Sequence, residues 1–487
     1  MSCTVSVSST ITATFTASIQ SINHIIFLAQ ENRSFDSYFG ALREYWAQNG
    51  IPDQQFDGLP QFNPPANSLL APTNPGCDPA TSTTTFCSID AASPAVQSFH
   101  LQTMCIENPS PSWNEAHVQW DVHNPVAPPP PTLDGFVQAA ANDARQVRPP
   151  FNDVAGMRGM GYYDGGDLNY YYFMASSFAT SDRWFAPAMT RTQPNRDYMI
   201  GGTSYGYAYP IASNSNDQAL VPSPPIFQSL QNAGISWKIY VNPAGTSCAS
   251  NPTSQCLWQN SYVRDFNYGV TILNTPSLLQ NIVPISQFTT DAQNGTLPQV
   301  AQIEPASNAG LDEHPSDTDV NPPCCSVQAG ANYVAGLINA VMNGPSWKDS
   351  LFFLTFDEWG GLYDHVAPQP AVNPDGRPPM DLFSGDICAP PGPVGPNCDF
   401  VFTGYRVPII VVSPYTKKNY VSHAVADNTA ILKLIETRFG LQPLTARDKA
   451  QIDMSTEFLD FTNAPWKTPP NPPSQNQSGP CYLNHLP

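Results

Sequence analysis

Two pairs of residues in this chain set oxygen ligands side by side directly after an apolar run. Glu31-Asn32 follows Ile25-Ile26-Phe27-Leu28, and Asp357-Glu358 follows Leu351-Phe352-Phe353-Leu354-Thr355-Phe356. Adjacent carboxylates repel each other and are unfavourable unless they are solvated, protonated or bound to a cation. A divalent metal accepts Glu, Asn and Asp oxygens together, so Glu31, Asn32, Asp357 and Glu358 are a candidate ligand set. The two halves lie more than 300 residues apart, and spacing alone does not join them.

A third segment, AMTRTQPNRDYMIGG at 188–202, offers a nucleophile. Thr192 stands two residues before Pro194, and the stretch from Asn195 to Ile200 can open a helix with proline near its first turn. A hydroxyl at a helix N-terminus sits in the field of unpaired N–H groups, which favours both an alkoxide and a transferred phosphoryl group. The competing reading is that Thr190 or Thr192 caps the helix. Arg33 and Arg196 could add charge to a pocket, but pairing with Asp36 and Asp197 at the surface is the expectation for both.

The elements that must position these groups read as alternating strands and helices, as a mostly parallel sheet requires. The runs before Glu31 and Asp357 are strand-sized, and in open α/β sheets ligands bind at the C-terminal ends of such strands. Further strands are expected at Ile235 to Val241, Val300 to Glu304 and Val407 to Val412. Helices are expected at Ile226 to Ala233, Tyr333 to Val341 and Asn428 to Phe439, the last opened by Asp427-Asn428. Asp427 and His423 read as structural.

Taken together, the segments ENRSFDSYFG (31–40), TQPNR (192–196), DEHP (312–315), DEWGGLYDHV (357–366) and ILKLIETRFGL (431–441) resemble the phosphoesterase family of non-zinc phospholipases C and respiratory-burst-inhibiting acid phosphatases. The resemblance runs through nearly the whole chain in the family's order. It implies an α/β, alkaline-phosphatase-like fold, one divalent metal ion and phosphoryl transfer through a covalent phospho-enzyme. Carried over by position, Thr192 is nucleophile and metal ligand, Glu31, Asn32, Asp357 and Glu358 complete the metal site, and His314 contacts phosphate as a candidate acid or base. Many members carry His-Ser-Trp where this chain has Pro111-Ser112-Trp113. His117 either stands in for that histidine or lies outside the reacting groups.

The chemistry also follows from the residues themselves. A metal would acidify the Thr192 hydroxyl and neutralise a phosphate oxygen, while His314 or His117 hydrogen-bonds the other oxygens and supplies the leaving alcohol's proton. The ion itself is open among calcium, magnesium, manganese, iron and zinc. Three functions compete: a phospholipase C releasing diacylglycerol and a phosphorylated headgroup, a broad acid phosphatase, and a non-catalytic binding protein. The sparse basic residues in the motifs, and Pro111 in place of histidine, favour the diester over a dianionic monoester.

Lys and Arg number 20 against 39 Asp and Glu, a net charge of −19. That excludes nucleic acid as the main partner and supplies no polybasic membrane anchor, while leaving phospholipid, small phosphate esters and transient contact with a membrane surface open. Fifty-two prolines with 11% aromatic residues indicate long ordered loops. Cys77 and Cys87, Cys248 and Cys256, and Cys388 and Cys398 each can close a local disulfide loop, which suits a secreted or periplasmic enzyme. Cys324-Cys325 could form a vicinal bridge or pair outward, zinc being the weaker reading, and the total of 11 leaves at least one thiol over.

No apolar run is long enough to span a membrane. The Ser/Thr-rich start at 1–20 is not a signal peptide and is expected to be a linker or the remnant of processing. One phosphoesterase domain is expected over 21–465, with loop insertions at about 41–133 and 367–400, and a Pro-rich tail at 466–487. The insertions are expected to wall the pocket and set substrate choice. Trp113, Trp120, Tyr162, Tyr163 and the 170–173 run are candidate apolar or cation–π surfaces, with core the preferred reading for 170–173.

Overall fold

The computed structural model describes residues 17–63, 70–211, 219–243, 245–317 and 325–486. The central sheet has eight strands: β1 (His24–Gln30), β2 (Ala179–Ser181), β3 (Trp237–Val241), β4 (Ile282–Pro284), β5 (Val300–Ile303), β6 (Ser350–Phe356), β7 (Ile409–Val412) and β8 (Tyr420–Ser422). Their spatial order is β8-β2-β7-β6-β1-β5-β3-β4. All neighbours run parallel except β6 with β7 and β7 with β2. Every residue of β5, β6 and β7, and β1 from Ile25 onward, is buried. Both faces of the sheet are therefore covered, which is why these strands read as unbroken apolar runs rather than alternating ones.

The flanking helices include α1 (Phe35–Phe39), α2 (Trp113–Trp120), α3 (Asn169–Ser177), α4 (Thr192–Gly201), α5 (Ile226–Asn232), α6 (Val327–Met342) and α7 (Ala430–Phe439). The expected strands and helices are present with shifted ends. β7 starts at Ile409 because Pro408 has no N–H for a ladder. α6 starts six residues earlier than its apolar stripe suggests. Asp427 accepts from both the N–H and the hydroxyl of Thr429, so its turn precedes α7 rather than opening it. Asp427 also pairs with Arg447, and His423 with Asp182, which fits the structural reading of both.

The three local disulfides form, and a fourth joins Cys105 to Cys481 across 376 residues. That long bridge pins the Pro-rich tail, as do Met104 N–H to the Pro480 carbonyl and Asn476 N–H to Asn169 Oδ1. Cys324, with any vicinal bridge, and residues 1–16 of the Ser/Thr-rich start lie outside the described residues. Among the described residues no helix is long and apolar enough to cross a membrane.

Most of the aromatics proposed as pocket surface are core. Trp113, Trp120, Tyr163 and Tyr170–Tyr172 are buried, leaving Tyr162 and Phe173 half-buried. The Trp113 indole donates to the Ile387 carbonyl and Trp120 to that of Ala127. Trp113 thereby joins α2 to the segment at 367–400, and a buried indole is retained where its N–H finds a partner.

Candidate active site

Strand register joins the two candidate ligand pairs. β1 and β6 are in parallel register from His24↔Ser350 to Gln30↔Phe356, so Glu31 emerges beside Asp357 and Asn32 beside Glu358. The ladder continues past the strand ends. Asp357 N–H donates to the Gln30 carbonyl and Arg33 N–H to that of Glu358, while Asn32 N–H donates to Asp357 Oδ1 at 3.1 Å. Asn32 has the left-handed φ of 61°, a conformation asparagine tolerates better than most residues. Against it packs Gly360, where a Cβ would lie 2.3 Å from the Asn32 carbonyl oxygen. The first glycine of DEWGG is thus required by close approach.

Thr192 is the first residue of α4, preceded by Arg191 at the N-cap, and no side chain caps the helix. The capping alternative therefore does not hold: Thr190 donates to the Ala208 carbonyl, and the Thr192 hydroxyl points to Asn32 Oδ1 at 3.4 Å. Asn195 holds the entry loop, accepting from Ala188 N–H and donating to the Thr190 carbonyl. Gly202, at φ 71°, ends the helix. Thr192 is half-buried whereas Glu31, Asn32, Asp357 and Glu358 are buried, so a substrate meets the hydroxyl first.

The loop after β5 supplies the third side of the cluster. Glu31 N–H donates to the Asp312 carbonyl, and His314 Nε2 lies 3.1 Å from the Asn32 amide nitrogen. His314 Nδ1 faces the Pro315 carbonyl, which orients the ring and directs Nε2 to the site. Glu313, also left-handed at φ 70°, is buried beneath; its carboxylate accepts from Tyr38 at 2.6 Å, Tyr171 at 2.5 Å and Gln30 at 3.0 Å. Burial raises Glu313 to about 7 against these donors.

Arg196 corrects the surface-pairing expectation. Its guanidinium is buried, 3.2 Å from both Glu31 Oε1 and Asp357 Oδ2, and donates to the Ala29 and Gln30 carbonyls. Arg33 is equally buried and donates to the Glu313 carbonyl. Neither pairs with Asp36 or Asp197 as expected; Asp36 instead binds Arg406 and His365. Alternating charge signs in the motif concealed this, because a neighbour in sequence looks like a partner when no fold is known.

Burial, opposed by Arg196 and reinforced by Asp357 and Asp312, raises Glu31 to about 8. Burial also raises Asp357, and burial with the Asp357 charge raises Glu358 strongly. His314 is lowered by burial, yet Asp317, Glu31 and Asp312 outweigh that and raise it. Among the described residues, Asp357 Oδ2 and Glu358 Oε1 are buried without a hydrogen-bond donor, the Arg196 contact being unaligned. Burial therefore disfavours ionising all three carboxylates, and once ionised against one guanidinium they would carry a charge of −2. An all-oxygen set with two orphaned carboxylate oxygens and that charge fits a divalent cation.

His117 does not join this cluster. It lies on the second turn of α2, its ring tilted against that of Trp113, with Nδ1 donating to the Trp113 carbonyl at 2.7 Å and Nε2 3.4 Å from that of Asn397. Burial depresses it to about 4, so it is a neutral core histidine. Among the described residues the carboxylate–histidine groups with ligand atoms close together lie elsewhere, at His100, Asp164 and Asp167 and at Asp36, Asp364 and His365, and the latter is filled by Arg406, which reaches Asp36 at 3.0 Å and Asp364 at 2.8 Å.

A sequence profile of the Phosphoesterase family matches residues 22–442. Phospholipase C B of Mycobacterium tuberculosis is 30% identical over 96% of this chain and 82% of its own. Non-specific phospholipase C4 of Arabidopsis thaliana is 30% identical over 88% of this chain and 70% of its own. A protein of the alkaline phosphatase superfamily from Vibrio parahaemolyticus aligns with 10% identity and a TM-score of 0.30, over 59% of this chain and 65% of that one. The chain belongs to the phosphoesterase family and is a phosphoric ester hydrolase.

Proposed function

We propose that the enzyme is a phospholipase C that cleaves the glycerol-side phosphodiester bond of a phospholipid through a phosphothreonine. One observation carries the reading: Thr192 Oγ1 and His314 Nε2 converge on the two ends of the Asn32 amide. A nucleophile and an acid/base group thereby flank one candidate ligand. Glu31, Asn32, Thr192, Asp357 and Glu358 would hold a divalent ion, which would neutralise phosphate charge and favour the ionised Thr192 hydroxyl.

Thr192 Oγ, its proton lost to solvent, attacks phosphorus, and the N–H groups opening α4 stabilise the charge on the phosphoryl oxygens. Protonated His314, its Nε2–H turned from the donor-only Asn32 amide nitrogen to the glycerol oxygen, gives that proton as the P–O bond breaks, and diacylglycerol leaves. Neutral His314 then takes a proton from water, which attacks phosphorus and displaces Thr192 with release of the phosphorylated headgroup. Four disulfides support a secreted or periplasmic location.

The test measures diacylglycerol from mixed phospholipid vesicles beside hydrolysis of p-nitrophenyl phosphate, with and without chelator, using Thr192→Ala as the blank. Chelator-sensitive diacylglycerol release that the substitution abolishes is expected. Turnover of the monoester alone would make the enzyme an acid phosphatase, and activity surviving Thr192→Ala would remove that nucleophile.

A further inference from the structure

A cavity of about 160 Å³ opens at the C-terminal edge of the sheet, walled by Gln259, Asn260, Tyr262, Arg264, Ser307 and Asn308. Ser307 and Asn308 follow β5, and Asn242, also on the wall, follows β3, so the cavity occupies the ends of the two strands beyond β1. Tyr262 joins it to the carboxylate cluster. Its hydroxyl is 3.5 Å from Glu31 Oε1, its N–H donates to Glu304, and the Arg196 guanidinium lies over its ring at 4.9 Å. The cavity is therefore one tyrosine side chain from a candidate metal ligand.

We infer that this cavity receives the headgroup that stays on phosphorus, and that it takes a neutral, hydroxyl-rich headgroup in preference to a quaternary ammonium. The inference rests on the phospholipase reading for its substrate. Side-chain amides and hydroxyls offer donors and acceptors together, which polyol hydroxyls need and a trimethylammonium group cannot use. Such a cation is held by aromatic faces or carboxylates. Among the described residues the cavity wall has one aromatic and no carboxylate, and its one charged side chain, Arg264, is a cation paired with Asp265. Trp113 and Trp120, which could have formed a cage, are in the core.

The experiment titrates wild-type protein in calcium buffer with glycerol 3-phosphate, inositol 1-phosphate and phosphocholine by calorimetry, then repeats this with Asn308→Leu and Gln259→Leu. Gln259, Ser307 and Asn308 are exposed, so the leucine variants are expected to fold. Two hydrogen bonds to neutral groups predict about tenfold tighter binding of the two polyol phosphates than of phosphocholine, an advantage the leucine variants lose. Equal or tighter binding of phosphocholine overturns the inference, as does an advantage that survives both substitutions. Because product binding is read without turnover, a failure of vesicle hydrolysis strikes the phospholipase reading separately.

Discussion

Replacing Gly360 by alanine tests whether the backbone of Asn32 sets the geometry of the site. The added Cβ would lie 2.3 Å from the Asn32 carbonyl oxygen and 2.8 Å from its carbon, where ordinary contact begins near 3.4 Å. The opposing atoms are backbone, so Asn32 must retreat by about 1 Å, a displacement that can cost about a hundredfold in rate. It would move the amide that Thr192 and His314 share and the N–H on Asp357. The left-handed φ of 71° adds roughly 1–2 kcal/mol of strain. Gly376 is the control: its φ is 74°, but a Cβ there meets nothing within 4 Å. Kinetics on a soluble phosphate ester and urea denaturation of both alanine variants separate the effects. Gly360→Ala should lose about a hundredfold in kcat, whereas Gly376→Ala should lose stability alone, by about 1–2 kcal/mol. A folded Gly360→Ala enzyme with wild-type kcat, or an equal loss at Gly376, would refute the reasoning.

Arg196→Met leaves Glu31 and Asp357 without their counter-charge and should destabilise the chelated protein by about 3–5 kcal/mol at about pH 9.5, where these carboxylates are largely ionised. The loss should shrink at pH 5, where the carboxylates take up protons; urea midpoints equal to wild type at both pH values would show that the guanidinium does not hold the cluster. His365 is lowered by burial but raised overall to about 9 by Asp36 and Asp57, above its ordinary 6.5. Its contribution, about 3 kcal/mol, is full below pH 6.5 and disappears as pH rises through 9. His365→Asn should flatten that part of the stability–pH curve, and an unchanged slope between pH 6.5 and 9.5 would contradict the assignment. Glu313→Gln can accept from only one of its two phenols, which should loosen the His314 loop. Hydrolysis of alkyl esters, whose alkoxide needs a proton, should then fall about tenfold while p-nitrophenyl esters change little; an equal fall for both would point to general disruption.

Much of the site was legible in sequence because strand ends and helix starts are local. Unbroken apolar runs marked β1 and β6 as strands buried on both faces, and the polar residues following them had to lie at the sheet edge. Thr192 before Pro194 marked the start of α4. The three short-range disulfides were equally legible, since each closes a loop of about ten residues. The roles of Arg33, Arg196 and His117 were not legible, because burial and pairing depend on what other segments bring. Arg196 meets residues 31 and 357, and His117 faces carbonyls of Trp113 and Asn397.

The sequence by itself thus determined which groups are available: a candidate oxygen ligand set, a hydroxyl at a helix start, and a histidine on a loop after a strand. Tertiary structure decided which of them meet. Parallel register carries Glu31 to Asp357, the left-handed turn at Asn32 faces its amide to both Thr192 and His314, and the close approach of Gly360 fixes that turn. Contacts between segments hundreds of residues apart leave no periodicity or spacing in the chain, so only the packed sheet specifies them.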